Sequence, residues 1–232
     1  MQRHSVTRMS PSGDRLSLSW EGQEAATNVS GVHFVGGSYG RAFQVAPVGA
    51  HEFGAKYLFE AELSGRMKVG QHEVRISRTA DGRTTLASLI GQHHELMTVF
   101  AGPAPESRKV AELFAVLDVR DHRDGMRVSP QRWTGLTVGS ENLVLSTVDN
   151  TSIAAPAPAF ARQVIPSKSG RRTRQGEVWR TQLPGRGKDS AHDYAYLVGT
   201  PNGVAEVVFA DSEAITEDEA MHMLDTLDLS WK

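Results

Sequence analysis

The stretch "GGSYG", Gly36 to Gly40, matches G-x-S-x-G, a pattern that can set a serine nucleophile, here Ser38, on a sharp turn. An esterase elbow needs a strand before the serine and a helix after it, so that the hydroxyl stands at a helix N-terminus. "VHFV" supplies a strand. "RAFQVAPVG" then alternates like a second strand and is interrupted by Pro47 and Gly49. The glycine-rich stretch therefore reads as a hairpin loop. A serine hydrolase using the GGSYG loop, with a base such as His192 in "DSAHDY", stands as an alternative.

Other polar groups invite the same comparison. "HHE", His93 to Glu95, has metal-binding residue types, but a zinc site wants further ligands fixed from elsewhere, and no second histidine cluster with ligand spacing follows. It reads as a solvated hairpin tip, and neither metal nor cofactor is expected. "GRGKDS" around Lys188 lacks the first glycine of a phosphate loop and places Asp189 where a magnesium-binding hydroxyl should stand. "KSGRRTR", Lys168 to Arg174, is the densest basic run and could contact a phosphate backbone. A nucleic-acid binder acting through this 168–174 loop is a second alternative, opposed by the slightly acidic chain and by the lack of interleaved aromatics. "SIAAPAPAFA", Ser152 to Ala161, is apolar and extended, since Pro156 and Pro158 bar a regular helix or central strand.

The elements that must carry these residues are written twice. "TVFAGPAPESRKVAELFAVLDV" (98–119) and "VVFADSEAITEDEAMHMLDTLDL" (207–229) both run from a strand through a loop into an amphipathic stretch and then to Leu-Asp. Val110, Leu113, Phe114 and Leu117 fall at i, i+3, i+4, i+7, as do Ala220, Met223, Leu224 and Leu227, which lines one face of a helix. Thr216 with Glu219 predicts a capping box, and the first helix should start near Pro105-Glu106. Upstream, "LIG" (89–91) matches "LVG" (197–199), "EVRISR" (73–78) matches "EVWRTQ" (177–182), and "RLSLS" (15–19) matches "NLVLS" (142–146). The expected fold is α+β: two similar halves, 1–122 and 123–232, each an antiparallel sheet with a C-terminal amphipathic helix, an internal duplication.

The order strand, hairpin, late amphipathic helix and terminal "LDLSW", carried by Val204–Trp231 and its first-half counterpart, resembles the PsbP-like group of α/β/α domains. That resemblance implies binding or assembly of other proteins rather than catalysis. The chain is expected to depart from the group in being doubled and in carrying no signal sequence, and it has no cysteine for lipidation.

Composition narrows the classes further. The 232 residues are 39% hydrophobic and 22% charged, with a net charge of -2, which suits a folded protein with no global pull toward nucleic acid or anionic lipid. Absence of cysteine excludes disulfides and thiolate chemistry. Arginine outnumbers lysine 19 to 6, a bias associated with GC-rich bacterial genomes. No apolar h-region opens the chain and no apolar run is long enough to span a bilayer, so a cytoplasmic protein without membrane partners is expected.

The leading expectation is a non-enzymatic protein-binding or assembly factor, adaptor- or chaperone-like, that contacts another protein or a second copy of itself. The halves differ most over 154–174, where an apolar strip precedes a cationic loop. Phe160 is the expected anchor, and Arg171, Arg172 and Arg174 the steering charges.

Overall fold

The computed structural model describes residues 2–37, 39–210 and 215–232. In chain order the first strands and helices are β1 (Gln2–Met9), β2 (Arg15–Gly22), β3 (Ala25–Gly36), β4 (Tyr39–Pro47), α1 (Ala50–Phe53, continued by a π-type turn, Gly54–Leu58), β5 (Ala61–Val69), β6 (His72–Thr79), β7 (Thr84–Ile90), β8 (His94–Ala101), α2 (Ser107–Ala115) and β9 (Leu117–His122). There follow β10 (Gly125–Pro130), β11 (Thr137–Thr147), β12 (Ser152–Pro156), α3 (Pro158–Ala161), β13 (Arg171–Arg172), β14 (Glu177–Gln182), β15 (Tyr194–Thr200), β16 (Gly203–Val208), α4 (Glu217–Thr226) and β17 (Asp228–Trp231). The fold class is α+β, as the sequence indicates.

Two compact units form, named here by their place in the chain. The central unit holds residues 9–13 and 29–141; the terminal unit holds 1–8, 14–28 and 142–232. These units depart from a simple division at 122/123, because residues 14–28 pack with the C-terminal part of the chain. The reason is strand pairing. β17 pairs with β2, Leu229 opposite Leu18, whereas in the central unit β9 pairs with β10, Val119 opposite Val128.

Within the central unit the sheet runs β3-β4-β8-β7-β6-β5, and within the terminal unit β11-β12-β16-β15-β14-β13, all neighbours antiparallel. The two orders read identically element by element. In both, an amphipathic helix follows the third strand of that order. α2 buries Val110, Leu113 and Phe114 against Phe34, Phe43, Val74, Ile76 and Leu96. α4 buries Ala220, Met223 and Leu224 against Leu145, Ile153, Val198, Val207 and Phe209. Leu117 and Leu227 complete these faces from just outside the helices: Leu117 opens β9 and Leu227 caps α4.

The opposite face of the central sheet carries a smaller cluster, Ala46, Ala55, Ala61, Leu86 and Met97. Adjacent residues of β7, Leu86 and Ala87, feed different clusters, as strand alternation requires. The α1 turn therefore covers one face and α2 the other.

Three sequence expectations change. "RLSLS" and "NLVLS" are not equivalent: the first lies in β2 beside β17, the second in β11 beside β12. "LIG" and "LVG" are offset by one residue, since Leu89 faces Val74 while Val198 faces Val178. A one-residue slip exchanges the faces of a strand, and the buried residue of "LVG" is Val198. "SIAAPAPAFA" is neither loop nor exposed strip. It forms interior strand β12 and short helix α3, with Ile153, Ala155, Ala157 and Ala161 buried. Pro156 is tolerated because pairing with β16 ends at Ala154, and Pro158 because it opens α3.

Candidate functional site

β14 offers the most distinctive surface. Its Val178 faces the helix side of the terminal sheet, and alternation sends Arg180 to the same side. A groove of about 700 Å³ opens there, bounded by the sheet, by α4 and by residues 168–173. Val178, Tyr196, Met221 and Leu224 give it an apolar floor; Lys168, Arg171 and Arg180 line one side, Glu217 and Asp225 the helix side. Burial, and then the negative charge of Glu217, push the Tyr196 phenol up to about 12, so its hydroxyl stays a hydrogen-bond donor at neutral pH.

The 168–174 wall is held in place rather than loose. The Trp179 indole N–H donates to the Lys168 carbonyl at 2.7 Å, and the Gly170 N–H donates to the Glu177 carboxylate at 2.9 Å. A Cβ on Gly170 would lie 2.7 Å from the Val178 carbonyl oxygen and 2.9 Å from the Trp179 ring, so only glycine allows this approach. The Arg174 backbone N–H and guanidinium both reach Asp225, at 3.1 and 2.9 Å.

The equivalent edge of the central unit is closed. There β5, nine residues long, pairs with β6 from Ala61 opposite Thr79 to Val69 opposite His72, and α2 packs against it. In the terminal unit β13 has two residues, opposite Val178 and Glu177. Among the described residues no strand pairs with the outer edge of β14 from Trp179 to Gln182.

The expected site residues fall in different places. Arg171 lines the groove, with its guanidinium 3.8 Å from the Met221 sulfur; Arg172 and Arg174 are exposed on the same wall. Phe160 is half-buried on α3 and does not line the groove; Val164 and Ile165, 46% and 45% exposed, follow it. His192 sits on the short turn Ala191–Asp193, with its Nδ1 buried and unbonded. Ser38 lies outside the described residues, but strand β4, and not a helix, begins at Tyr39.

A second polar cluster, in the central unit, escaped the sequence reading. His51 is buried on α1, with Nδ1 2.7 Å from Ser88 Oγ and Nε2 2.8 Å from Ser77 Oγ. The Glu95 carboxylate accepts from the backbone N–H groups of Gly49 and His51, at 3.0 and 2.6 Å. Burial lowers the His51 pKa, which keeps the imidazole neutral. A histidine bonded to a serine is the geometry of a nucleophilic dyad. Here, however, Ser77 and His51 are almost fully buried, and a hydroxyl rather than a carboxylate orients the ring. The cluster pins α1 to the sheet.

"HHE" belongs to this interior and not to a solvated tip. Its Glu95 is wholly buried, and His94 is buried with Nδ1 2.8 Å from Asp121. Although burial opposes ionisation of Asp121, the backbone N–H groups of His93 and His94 and the His94 ring together hold its pKa below the usual value.

Comparison with known proteins finds no matching family model, no matching curated protein and no matching solved structure.

Proposed function

We propose that this chain is a non-enzymatic protein-binding or assembly protein, built from two copies of one α+β domain, and that it binds its partner at the groove beside β14. The identical strand orders of the two units support the duplication, and the layering of α1, sheet and α2 in the central unit fits the PsbP-like resemblance. The observation that carries the function is the groove itself: an apolar floor inside a charged rim, the composition of a protein interface.

The alternatives draw less support. Glu217 and Asp225 in the groove repel phosphate, and Asp225 already engages Arg174, which disfavours nucleic acid at the 168–174 loop. A strand after Ser38 lacks the helix dipole of an esterase elbow.

The test is a photo-cross-linking residue in place of Arg171, introduced in the source cell. A protein or second copy cross-linked at this position, and lost when the groove residues Trp179 and Met221 are both changed to alanine, is the expected result. Absence of any cross-link, or one that survives both changes, removes the groove as the binding surface. The triple variant Arg171→Ala, Arg172→Ala, Arg174→Ala should slow association mainly at low salt. Labelling of Ser38 by a fluorophosphonate would instead promote the hydrolase.

A further inference from the structure

One polar group on the groove floor has no partner. Tyr196 is 3% exposed and lines the groove, and its hydroxyl makes no hydrogen bond among the described residues. The oxygen is not sealed in, so the hydroxyl opens on the groove. A nearly buried donor left unbonded is uncommon and points to a ligand that accepts from it. Opposite charges flank this phenol. Arg180 stands directly across the strand pair from Tyr196, with its guanidinium 4.7 Å above the Tyr194 ring. Glu217 opens α4 on the other side and accepts from the Ala191 N–H at 2.7 Å through Oε2 alone. After burial, Glu217 is the main influence that keeps the phenol protonated, while Arg180 acts the other way, so both charges reach the same hydroxyl. Neither Arg180 nor Glu217 has an ion-pair partner among the described residues.

We propose that the groove floor is a receptor site for a small zwitterion with an apolar body, an apolar α-amino acid or dipeptide. The ligand carboxylate accepts from the Tyr196 hydroxyl and faces Arg180, the ammonium faces Glu217, and the apolar side chains lie on Val178, Met221 and Leu224. A simple ion satisfies only half of this site. An anion meets Glu217, and a cation meets Arg180 with Lys168 and Arg171 on the same wall. Asp225 does not compete for the ammonium, because Arg174 already holds it at 2.9 Å. The volume of about 700 Å³ lies in the range of small-molecule sites and has room for either length of ligand. This goes beyond the protein-binding proposal and does not rest on it. A bound zwitterion covers the apolar floor that a partner uses, so its concentration sets how much of the chain is free to bind.

The probes are leucine and leucyl-leucine, titrated against the full chain by ligand-observed NMR. They are compared with N-acetyl-leucine, which lacks the ammonium, and with leucinamide, which lacks the carboxylate. We expect at least one zwitterion to bind, and each blocked analogue to bind at least about tenfold more weakly. Whichever zwitterion binds more tightly sets the ligand's length. Tyr196→Phe, which keeps the ring, should weaken the zwitterion about tenfold, the loss of one hydrogen bond to a charged group. Arg180→Gln should weaken the zwitterion about as much and leave the residual binding of leucinamide within about twofold. Glu217→Gln, which keeps an acceptor for the Ala191 N–H, should do the same and leave N-acetyl-leucine within about twofold. Circular dichroism checks that each variant is folded, and a general loss of packing would weaken every probe alike. Failure of both zwitterions to bind at millimolar concentration, equal binding of either blocked analogue, or unchanged binding in Tyr196→Phe would overturn the site. The cross-link at position 171, measured without added ligand, tests the protein-binding proposal separately.

Discussion

Arg180 of β14 occupies the strand position that Ile76 holds in β6. Each lies two residues beyond the valine, Val178 or Val74, that pairs with the buried residue of the next strand. Ile76 is buried under α2 and beside β5, while Arg180 is exposed at the rim of the groove, its guanidinium 4.7 Å above the Tyr194 ring. The edge of β6 is bordered by the nine-residue β5, that of β14 by the two-residue β13 and the segment before it.

This difference should appear in stability. Ile76→Ala should cost about 2–5 kcal/mol, because it removes buried atoms from a closed core. Arg180→Ala should stay within about 0.5 kcal/mol, as exposed positions do. Urea unfolding of both variants checks the pair, and equal losses would mean that Arg180 is a packing residue.

The helix faces make a matched prediction in both units. Leu117 and Leu227 are buried where α2 and α4 end. Leu117→Ala and Leu227→Ala should each cost about 2–5 kcal/mol. A loss below about 0.5 kcal/mol at either position would reject the packing of that helix end.

Thr216 caps α4: its hydroxyl accepts from the Glu219 N–H, and the Glu219 carboxylate accepts from the Thr216 N–H at 2.9 Å. Thr216→Ala should therefore lower stability by about 1 kcal/mol. Calorimetry of the variant, with Thr216→Asn expected to keep most of the cap, measures it.

His51 makes stability depend on pH. Its folded pKa is depressed, chiefly by burial, with Arg75 acting in the same direction and Glu95 and Glu52 against it. The unfolded chain therefore binds the proton more readily. The contribution is complete above the unfolded value of about 6.5 and is lost as pH falls below it. Denaturant midpoints measured from about pH 7.5 to 5 should fall, and His51→Gln should flatten that slope. A slope unchanged in the variant would assign the effect to other groups.

The sequence by itself determined what is local. Helical periodicity placed Val110, Leu113 and Phe114, and Ala220, Met223 and Leu224, on buried faces, because a helix is closed by its own neighbours along the chain. The capping pair Thr216 and Glu219 was legible for the same reason. The 168–174 segment stood out by composition, although the groove floor behind it did not: Tyr196, Met221 and Leu224 are ordinary core-type residues until a strand is missing beside them. A charge in the inward register of β14, Arg180, was the one available signal. Tertiary structure alone decided which strands meet. The β2–β17 pair joins the two ends of the chain, and His51 finds Ser77 and Ser88 across the sheet. Such contacts are made by residues far apart in sequence, and alternation says which face a side chain takes but not which strand will lie beside it.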